Sequence, residues 1–449
     1  MSGVGANIVD KLIVSGTQLL LVPVLANAWG LNLYGLWVIM FTAPSFLAMG
    51  DFGFAQAAGT KMTMAVARGE QEEAVRIFQS AWMAILTSSA GLVALAALVV
   101  WLLPDSLLQR SAVMDASDIR LTLFLLILYG IAAIQGSIFF AAFRCAGLFA
   151  VGAFWNAFII LIESSAVIAA VWLGGAGPLT AAATFLCGRF VGLSGQFLLL
   201  RQWVPWLRLG LTHARWTEMR RLFAPAGAVM LVPIAQALSL QGTALALGAV
   251  AGEAAVPAFT AARTLSRVGM QMCWLLNTPL MPEFSAASAR KDRGAMATMV
   301  LATLAMTTLL VLPYALLFAL LGRKAILLWT GGAIQSPEPL LLAMAGSMVF
   351  GGFWYPVSNL ILALNRHASY TFYYLLFAAL GLPATYLLAE YFGATGAGLA
   401  MMAMDAAMFV LIALIARRLL VSGDELRRAA PLVGKRLREL IARKVAKTE

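Results

Sequence analysis

The sequence predicts an all-α polytopic membrane protein with about twelve transmembrane helices in two six-helix lobes that are related by an internal repeat. Of its 449 residues, 62% are hydrophobic and only 11% are charged, whereas ordinary soluble domains are about 25% charged. Apolar runs long enough to cross a bilayer recur along the whole chain. This composition excludes a soluble domain, because it cannot supply a solvated surface.

The N-terminal lobe is predicted at residues 1–200. Its first apolar run has no small-residue cleavage site behind it, so we expect a retained span and not a signal peptide. Pro44 breaks the second span, and the Gly-rich stretch 174–178 joins the last two. The first predicted span ends near Ala28, and the other five cover about 35–55, 77–103, 121–142, 151–173 and 180–200. Residues 56–76 are predicted as a loop.

A basic cytoplasmic linker is predicted at residues 201–221. Five arginines alternate there with three tryptophans, a mixture typical of the inner membrane interface. Nucleic-acid binding is the alternative for such a stretch, and we reject it because the other basic residues also lie between spans. The residues concerned are Arg201, Arg208, Arg215, Arg220 and Arg221, with Trp203, Trp206 and Trp216.

The C-terminal lobe is predicted at residues 222–416 and repeats the plan of the first. Its spans cover about 222–250, 257–283, 295–321, 340–364, 370–390 and 395–416. Residues 417–449 are predicted as a cytoplasmic basic tail with apolar residues at helical spacing, which favours an amphipathic helix on the anionic inner leaflet. A partly disordered charged tail is the alternative.

The distribution of basic residues predicts on which side of the membrane each loop lies. With alternate loops assigned to the inner side, the outer loops carry only Arg110, Arg120, Arg323 and Lys324 among the basic residues. The positive-inside rule therefore predicts a cytoplasmic-membrane protein with both termini in the cytoplasm.

Arg263 and Arg267 are the strongest candidate site residues, because both lie well inside an apolar span. A charge there normally faces a wet cavity or a partner. The two residues are four apart, so they share a helix face, and guanidinium binds phosphate bidentately. We therefore predict a cationic cavity for an anionic, phosphate-bearing substrate. Pairing with Glu163 or a helix-end carbonyl, for structure alone, is the alternative.

Short motifs recur between the halves: Gly30 matches Gly252, and the Arg68-Gly69 pair matches Arg293-Gly294, at offsets of 222 and 225 positions. The segments 33–37 (LYGLW) and 48–53 (AMGDFG) resemble the start of the polysaccharide flippase family. So do 259–263 (FTAAR), 279–285 (PLMPEFS) and 393–398 (GATGAG). That family belongs to the multidrug/oligosaccharidyl-lipid/polysaccharide (MOP) exporter superfamily. The resemblance covers nearly the whole chain in span order and loop length.

The resemblance implies two six-helix lobes that open alternately to either face of the membrane. It also implies flipping of undecaprenyl-diphosphate-linked oligosaccharides to the outer leaflet for lipopolysaccharide, capsule or exopolysaccharide synthesis. A lipid-linked oligosaccharide and membrane lipids are the expected partners, and a polysaccharide polymerase is a further candidate partner. The expected substrate-binding residues are Arg263, Arg267, Arg189, Lys61, Arg144 and Gln236. A cation-coupled multidrug exporter of the same superfamily is the alternative, although cationic drugs favour acidic cavities.

Asp51, Glu163 and Asp405 lie in or at the ends of spans and are the candidates for proton or sodium coupling. Asp51 alternatively caps a helix or holds a loop. No other cofactor is predicted. The two histidines and three cysteines lack metal-ligand spacing, and there is no phosphate-binding loop. We therefore expect neither a metal site nor an enzyme.

Overall fold

The computed structural model describes residues 3–47, 53–105, 113–277, 280–364, 366, 368–421 and 424–431. Within these ranges, side chains are described except at 3–11, 222–229, 272–277, 280–282 and 289. Every regular element in the described ranges is helical, which confirms the predicted all-α class. Asp51 and most of the predicted basic tail lie outside the described residues.

The first half of the chain forms eight of the described helical elements. A single π-helical turn, Leu238–Gly242, joins the last two of them. Their bounds are α1 Gly3–Leu47, α2 Phe54–Ala67, α3 Gln71–Leu102, α4 Ala116–Cys145, α5 Phe149–Gly174, α6 Pro178–Trp203, α7 Trp216–Ala237 and α8 Thr243–Ala251.

The second half continues with six helices of different lengths in the described ranges. Proline interrupts α11 and α12 at Pro313 and Pro356, and such prolines are tolerated in membrane helices when neighbouring groups satisfy the freed carbonyls. The bounds are α9 Ala255–Asn277, α10 Leu280–Ala289, α11 Arg293–Trp329, α12 Glu338–Ala363, α13 Ala368–Phe392 and α14 Ala394–Leu419.

Ten described helices are long and apolar enough to cross a membrane. The first, Leu12–Leu47, consists of two helices that meet at Gly30, where φ is 75° and ψ is 171°. The gap predicted between the first two spans, at residues 29–34, is thus reduced to the single kink at Gly30. α9 adds a 23-residue helix that is not among the ten. With the first span divided at Gly30, the ten give eleven segments in the described ranges, and α9 occupies the predicted span 257–283.

The predicted loop 56–76 is wrong over most of its length, because α2 is helical to Ala67 and α3 begins at Gln71. The stretch contains no proline, and most of its apolar side chains are buried, although Met64 and Ala67 are exposed. Phe54, Ala58 and Met62 pack into the core of the first half, against Phe78 of α3 and Phe143 of α4. This burial stabilises a helix that the charge pattern alone does not reveal.

The helix bounds repeat at an offset of 222 residues. Two helices of the second half begin, and one ends, 222 positions after their counterparts in the first half. The matched bounds are Ala67 and Ala289, Gln71 and Arg293, and Ala116 and Glu338.

Backbone angles repeat at the same offset. Gly30 and Gly252 share one unusual conformation, with φ of 75° and 80° and ψ of 171° and 166°. Gly69 and Lys291 are both left-handed, with φ of 80° and 58°. The structural counterpart of Gly69 is therefore Lys291 and not Gly294, because the turn before α3 and α11 requires a positive φ at that one position. Lys291 carries a side chain there at a steric cost that glycine avoids.

Contacts divide the chain into two compact units: residues 1–257 with 327–334, and residues 258–326 with 335–449. The segment 327–334 belongs to the first unit through α1. The Asn27 amide donates to the Thr330 carbonyl (2.8 Å), and the Trp329 indole donates to the Leu19 carbonyl (2.7 Å). This grouping puts α7 and α8 with the N-terminal unit, whereas the 222-residue repeat begins a second copy near them. The predicted lobe boundaries at residues 200 and 222 stay a prediction.

The lipid-facing surface is clearest on α11. Leu309, Leu312, Leu316, Leu317 and Leu320 are between 40% and 69% exposed. An apolar surface of this extent on one helix suits hydrocarbon and not water. Together with the ten candidate spans in the described ranges, it identifies a multi-pass membrane protein.

Candidate functional site

α9 carries the two arginines that the sequence singles out, on one face of the helix. Arg263 is buried, and its guanidinium carbon lies 5.3 Å from the centre of the Phe259 ring, one turn earlier. Arg267, one turn later, has an exposed side chain. None of the ion pairs in the described residues involves Arg267. Its side chain therefore reaches an accessible space, and no carboxylate in the described part of the protein forms an ion pair with it.

Two tyrosines are the electrostatic neighbours of Arg267. They are Tyr355 on α12 and Tyr374 on α13. Trp354 packs against both, with ring centroids 5.3 Å apart in each case. The result is a cationic side chain beside an aromatic cluster with hydroxyl groups, an arrangement suited to a ligand that has both anionic and sugar-like polar parts.

Asp405 on α14 is buried behind this cluster. Its carboxylate accepts hydrogen bonds from the Ser347 hydroxyl (2.5 Å) and the Trp354 indole (3.0 Å), both on α12. Trp354 thus joins the carboxylate to Tyr355 and Tyr374. Sequence reasoning identified Asp405 as a coupling candidate but missed Ser347, Trp354 and the tyrosines, although a buried indole or phenol inside a span signals a hydrogen-bonding partner.

A second polar cluster lies inside the N-terminal unit. Arg189 of α6 donates to the Glu163 carboxylate of α5 (2.6 Å) and to the Tyr129 hydroxyl of α4 (2.8 Å). Tyr129 in turn donates to the same Glu163 oxygen (2.8 Å), and the guanidinium lies 4.9 Å from the centre of its ring. The predicted substrate contact Arg189 and the predicted coupling residue Glu163 are therefore partners of each other.

Close helix packing holds this cluster together. A side chain at Gly188 would press on Glu163, at 2.9 Å from its Cβ, and Gly192 and Gly195 of α6 meet Ile159 and Trp155 of α5 in the same way. Small residues at such intervals let membrane helices approach closely. The second carboxylate oxygen of Glu163 and the Nε of Arg189 are buried with no hydrogen-bond partner in the described part of the protein. The Glu163 oxygen can accept a proton, a cation or a hydrogen bond, and the Arg189 Nε–H can donate to water.

Lys61, in the middle of α2, and Arg144, in the last turn of α4, both donate to backbone carbonyls. Arg144 donates to the Gln56 carbonyl (3.3 Å) and packs directly over Gly59, which has no side chain to exclude it. Lys61 donates to the Arg221 carbonyl (3.2 Å). In a helix that carbonyl would accept from the residue four positions on, but Pro225 has no N–H. Lys61 therefore satisfies a carbonyl that proline leaves open.

Gln236, the remaining predicted substrate contact, is half-buried on α7, two residues before the π-helical turn. Such turns are frequent at functional positions in helices. Asp51 lies outside the described residues. Among the described residues, no group of three or more His, Cys, Asp or Glu side chains could hold a metal ion. The described contacts bring Glu163 together with Arg189, but do not bring Lys61, Arg144 or Gln236 into either polar cluster.

The fold is shared with solved transporters at low sequence identity. A multidrug resistance MATE family transporter of the MOP superfamily, inward-facing, matches with a TM-score of 0.73 and 13% identity over 92% of this chain and 97% of its own. The lipid II flippase MurJ, inward closed, matches with a TM-score of 0.67 and 14% identity over 94% and 90%. No protein-family model and no curated protein matches the sequence.

A MOP superfamily transporter from Pyrococcus furiosus, described as having a binding pocket of reverse polarity, matches with a TM-score of 0.59 and 14% identity over 93% and 98% of the two chains. These neighbours are transporters and a flippase and not enzymes. At such identities the likeness concerns architecture. The chain therefore has the helical membrane fold of these MOP superfamily transporters.

Proposed function

We propose that this protein is a flippase that moves undecaprenyl-diphosphate-linked oligosaccharides from the inner to the outer leaflet of the cytoplasmic membrane by alternating access. The product would serve lipopolysaccharide, capsule or exopolysaccharide synthesis. Both termini lie in the cytoplasm in this proposal, as the distribution of basic residues favours.

The observation that carries the proposal is the exposed guanidinium of Arg267 on α9, at the predicted span 257–283, which has no ion-pair partner among the described residues. A permanent positive charge in hydrocarbon is costly, so an arginine there is retained for a polar partner. Since the described residues offer Arg267 no carboxylate, an anionic ligand is the partner that fits. Diphosphate matches the planar fork of the guanidinium better than a single-charge group does.

The aromatic residues beside Arg267 fit the other part of the ligand. Sugars present apolar faces and hydroxyl groups, and Tyr355 and Trp354 offer rings and hydrogen-bonding groups within the same cluster. A substrate with both a diphosphate and a saccharide would use the arginine and the aromatic residues together. The similarity in fold to a lipid II flippase supports a lipid-linked substrate.

A multidrug exporter is the second candidate, because several solved structures with this fold are described as multidrug transporters. Cationic drugs favour carboxylates open to the ligand. Asp405 and Glu163 are instead 4% and 2% exposed and already accept hydrogen bonds from neighbouring side chains. The charge presented at Arg267 has the opposite sign, so we favour the flippase.

Glu163 and Asp405 are proposed as the groups that couple transport to protons or sodium, with Asp51 as a third candidate. Glu163 has an unused carboxylate oxygen, and Asp405 is linked through Trp354 to the neighbours of Arg267. Arg189 then serves as the fixed positive partner of Glu163 and contacts substrate only if that pair opens.

The test uses a bacterial strain whose polymer export depends on this chain. Arg267→Ala should lower export about 10- to 150-fold, because a charged hydrogen bond contributes about 1.5–3 kcal/mol. The lipid-linked oligosaccharide should then accumulate inside the cell. Arg267→Lys should keep part of the activity, since the charge stays and the bidentate fork is lost.

Arg418→Ala is the matched control, because Arg418 is also an exposed helical arginine but lies in the last turn of α14. It should export normally. If Arg263→Ala and Arg267→Ala both export normally at wild-type protein levels, the proposal is wrong. Resistance to cationic drugs on expression of the wild type, without any effect on polymer, would establish the exporter instead.

A further inference from the structure

We propose that residues 201–221, here called the Trp–Arg segment, form a fixed binding surface for the phosphate headgroups of anionic phospholipids. The segment comprises the end of α6, the turn that follows and the start of α7. This surface is separate from the substrate site and goes beyond the proposed transport function. The stability of the protein would then depend on the lipid composition of the leaflet that this surface contacts.

Four arginines of the Trp–Arg segment have exposed side chains and no ion-pair partner among the described residues. They are Arg201, Arg208, Arg215 and Arg220. Only Arg221 is paired, with Glu218 at 2.8 Å. In two other turns arginines are paired: Arg68 with Glu70 and Glu73, and Arg293 bidentately with Glu425. The Trp–Arg segment therefore concentrates uncompensated positive charge.

Exposed indoles accompany the arginines. Trp203 and Trp216, at the two helix ends that border the turn, are 51% and 62% exposed, and Leu211 between them is 47% exposed. Tryptophan at the end of a membrane helix lies at the level of the headgroups. The same surface thus offers apolar groups to the acyl boundary and guanidinium groups to phosphate.

The segment is held in place and does not merely carry charge. Val204 and Leu207 are buried in the core of the N-terminal unit. Gln79 of α3 donates to the Arg208 carbonyl (2.8 Å) and accepts from the His213 backbone N–H (2.6 Å). Ser80 accepts from the Arg215 N–H (2.9 Å).

This anchoring argues for recognition. Orienting a protein in the membrane depends on the number of basic residues in a loop and not on their geometry. A surface whose charged side chains stand on a fixed backbone loses less conformational entropy on binding. The anionic leaflet is the polyanion next to a turn between two membrane helices, which favours phospholipid over nucleic acid.

The experiment uses full-length protein purified in a neutral detergent and delipidated. Its melting temperature is measured with equal amounts of added phosphatidylglycerol or phosphatidylcholine at low and high salt. Wild type should be stabilised more by phosphatidylglycerol, and the difference should shrink in high salt. The triple variant Arg208→Gln, Arg215→Gln, Arg220→Gln should bind phosphatidylglycerol more weakly by about fivefold for each arginine removed.

The matched control removes three exposed arginines elsewhere: Arg290→Gln, Arg366→Gln, Arg417→Gln. It changes the net charge equally and should keep the preference for phosphatidylglycerol. Gln79→Leu keeps every charge but removes the two hydrogen bonds that Gln79 makes to the segment, and it should weaken the preference.

If both triple variants lose the same amount of phosphatidylglycerol binding, the effect depends only on net charge and the proposal is overturned. So would a wild type without lipid preference, or one that responds to inorganic polyphosphate and not to phosphatidylglycerol. The readout is lipid binding, so it is independent of whether Arg267 binds a diphosphate.

Discussion

The buried pair of Arg189 and Glu163 allows a sharp energetic prediction. Its nitrogen and oxygen are 2.6 Å apart, and the side chains are 9% and 2% exposed. Replacing either residue alone with leucine leaves a charge in an apolar helical core. Breaking a buried ion pair from one side in this way costs about 3–5 kcal/mol.

Replacing both residues should be far less harmful. Two leucines remove both charges together, and substitutions of this kind are neutral or stabilising by about 1–4 kcal/mol when the new side chains pack. We expect the Glu163→Leu, Arg189→Leu double variant to lie within about 1 kcal/mol of wild type. Tyr129→Phe removes one hydroxyl that bonds to both charges and should cost about 1.5–3 kcal/mol.

Equilibrium unfolding of the purified variants in mixed detergent measures these differences as a double-mutant cycle. Transport is measured on the same preparations. If Glu163 carries the coupling proton or ion, the double variant should be stable yet unable to transport. Additive losses, with the double variant as unstable as the sum of the singles, would show that the pair is not coupled and refute the reasoning.

Three further predictions follow from local geometry. Gly35→Ala and Gly396→Ala should each lower the melting temperature by several degrees, because the new Cβ would meet the backbone at Glu253 and at Leu388; Gly381→Ala, with nothing within 4 Å, is the control and should be neutral or slightly stabilising. Ser347→Ala should cost about 1.5–3 kcal/mol by removing a hydrogen bond to a buried carboxylate, and Asp405→Asn should reduce that cost in a double-mutant cycle; equal costs in both backgrounds would contradict the contact. Lys61→Met should destabilise by about 0.5–1.5 kcal/mol, but by less in a Pro225→Ala background, where the Arg221 carbonyl regains a helical donor; an unchanged cost there would show that the proline is irrelevant to Lys61.

The stretch 56–76 illustrates where sequence patterns mislead. Lys61, Arg68 and Arg76 suggest a loop over 56–76, yet α2 occupies most of it. Charge at the membrane edge is compatible with either a loop or a helix. The inward packing of Phe54 and Met62 decides between them, and that packing depends on helices distant in the chain.

The internal repeat shows the reverse case. Gly30 and Gly252 are recognisable in the sequence, and the backbone gives them the same conformation. The pairing of Gly69 with Gly294 fails, since Lys291 takes the left-handed position. A turn requires a dihedral angle and not a particular residue, so the residue type is an imperfect guide to the equivalent position.

Composition and hydrophobic run length determined the class of this protein, its long apolar helices and the unusual position of two arginines inside one predicted span. Those properties follow from the cost of placing polar groups in hydrocarbon, which acts on each segment independently. Tertiary structure alone decided which charges are neutralised: Arg189 bonds to Glu163 and Tyr129, whereas Arg267 has two tyrosines as its electrostatic neighbours and no ion pair among the described residues. Pairing requires atoms within about 3 Å of each other, and residues 26 or more positions apart reach that distance only once helices pack.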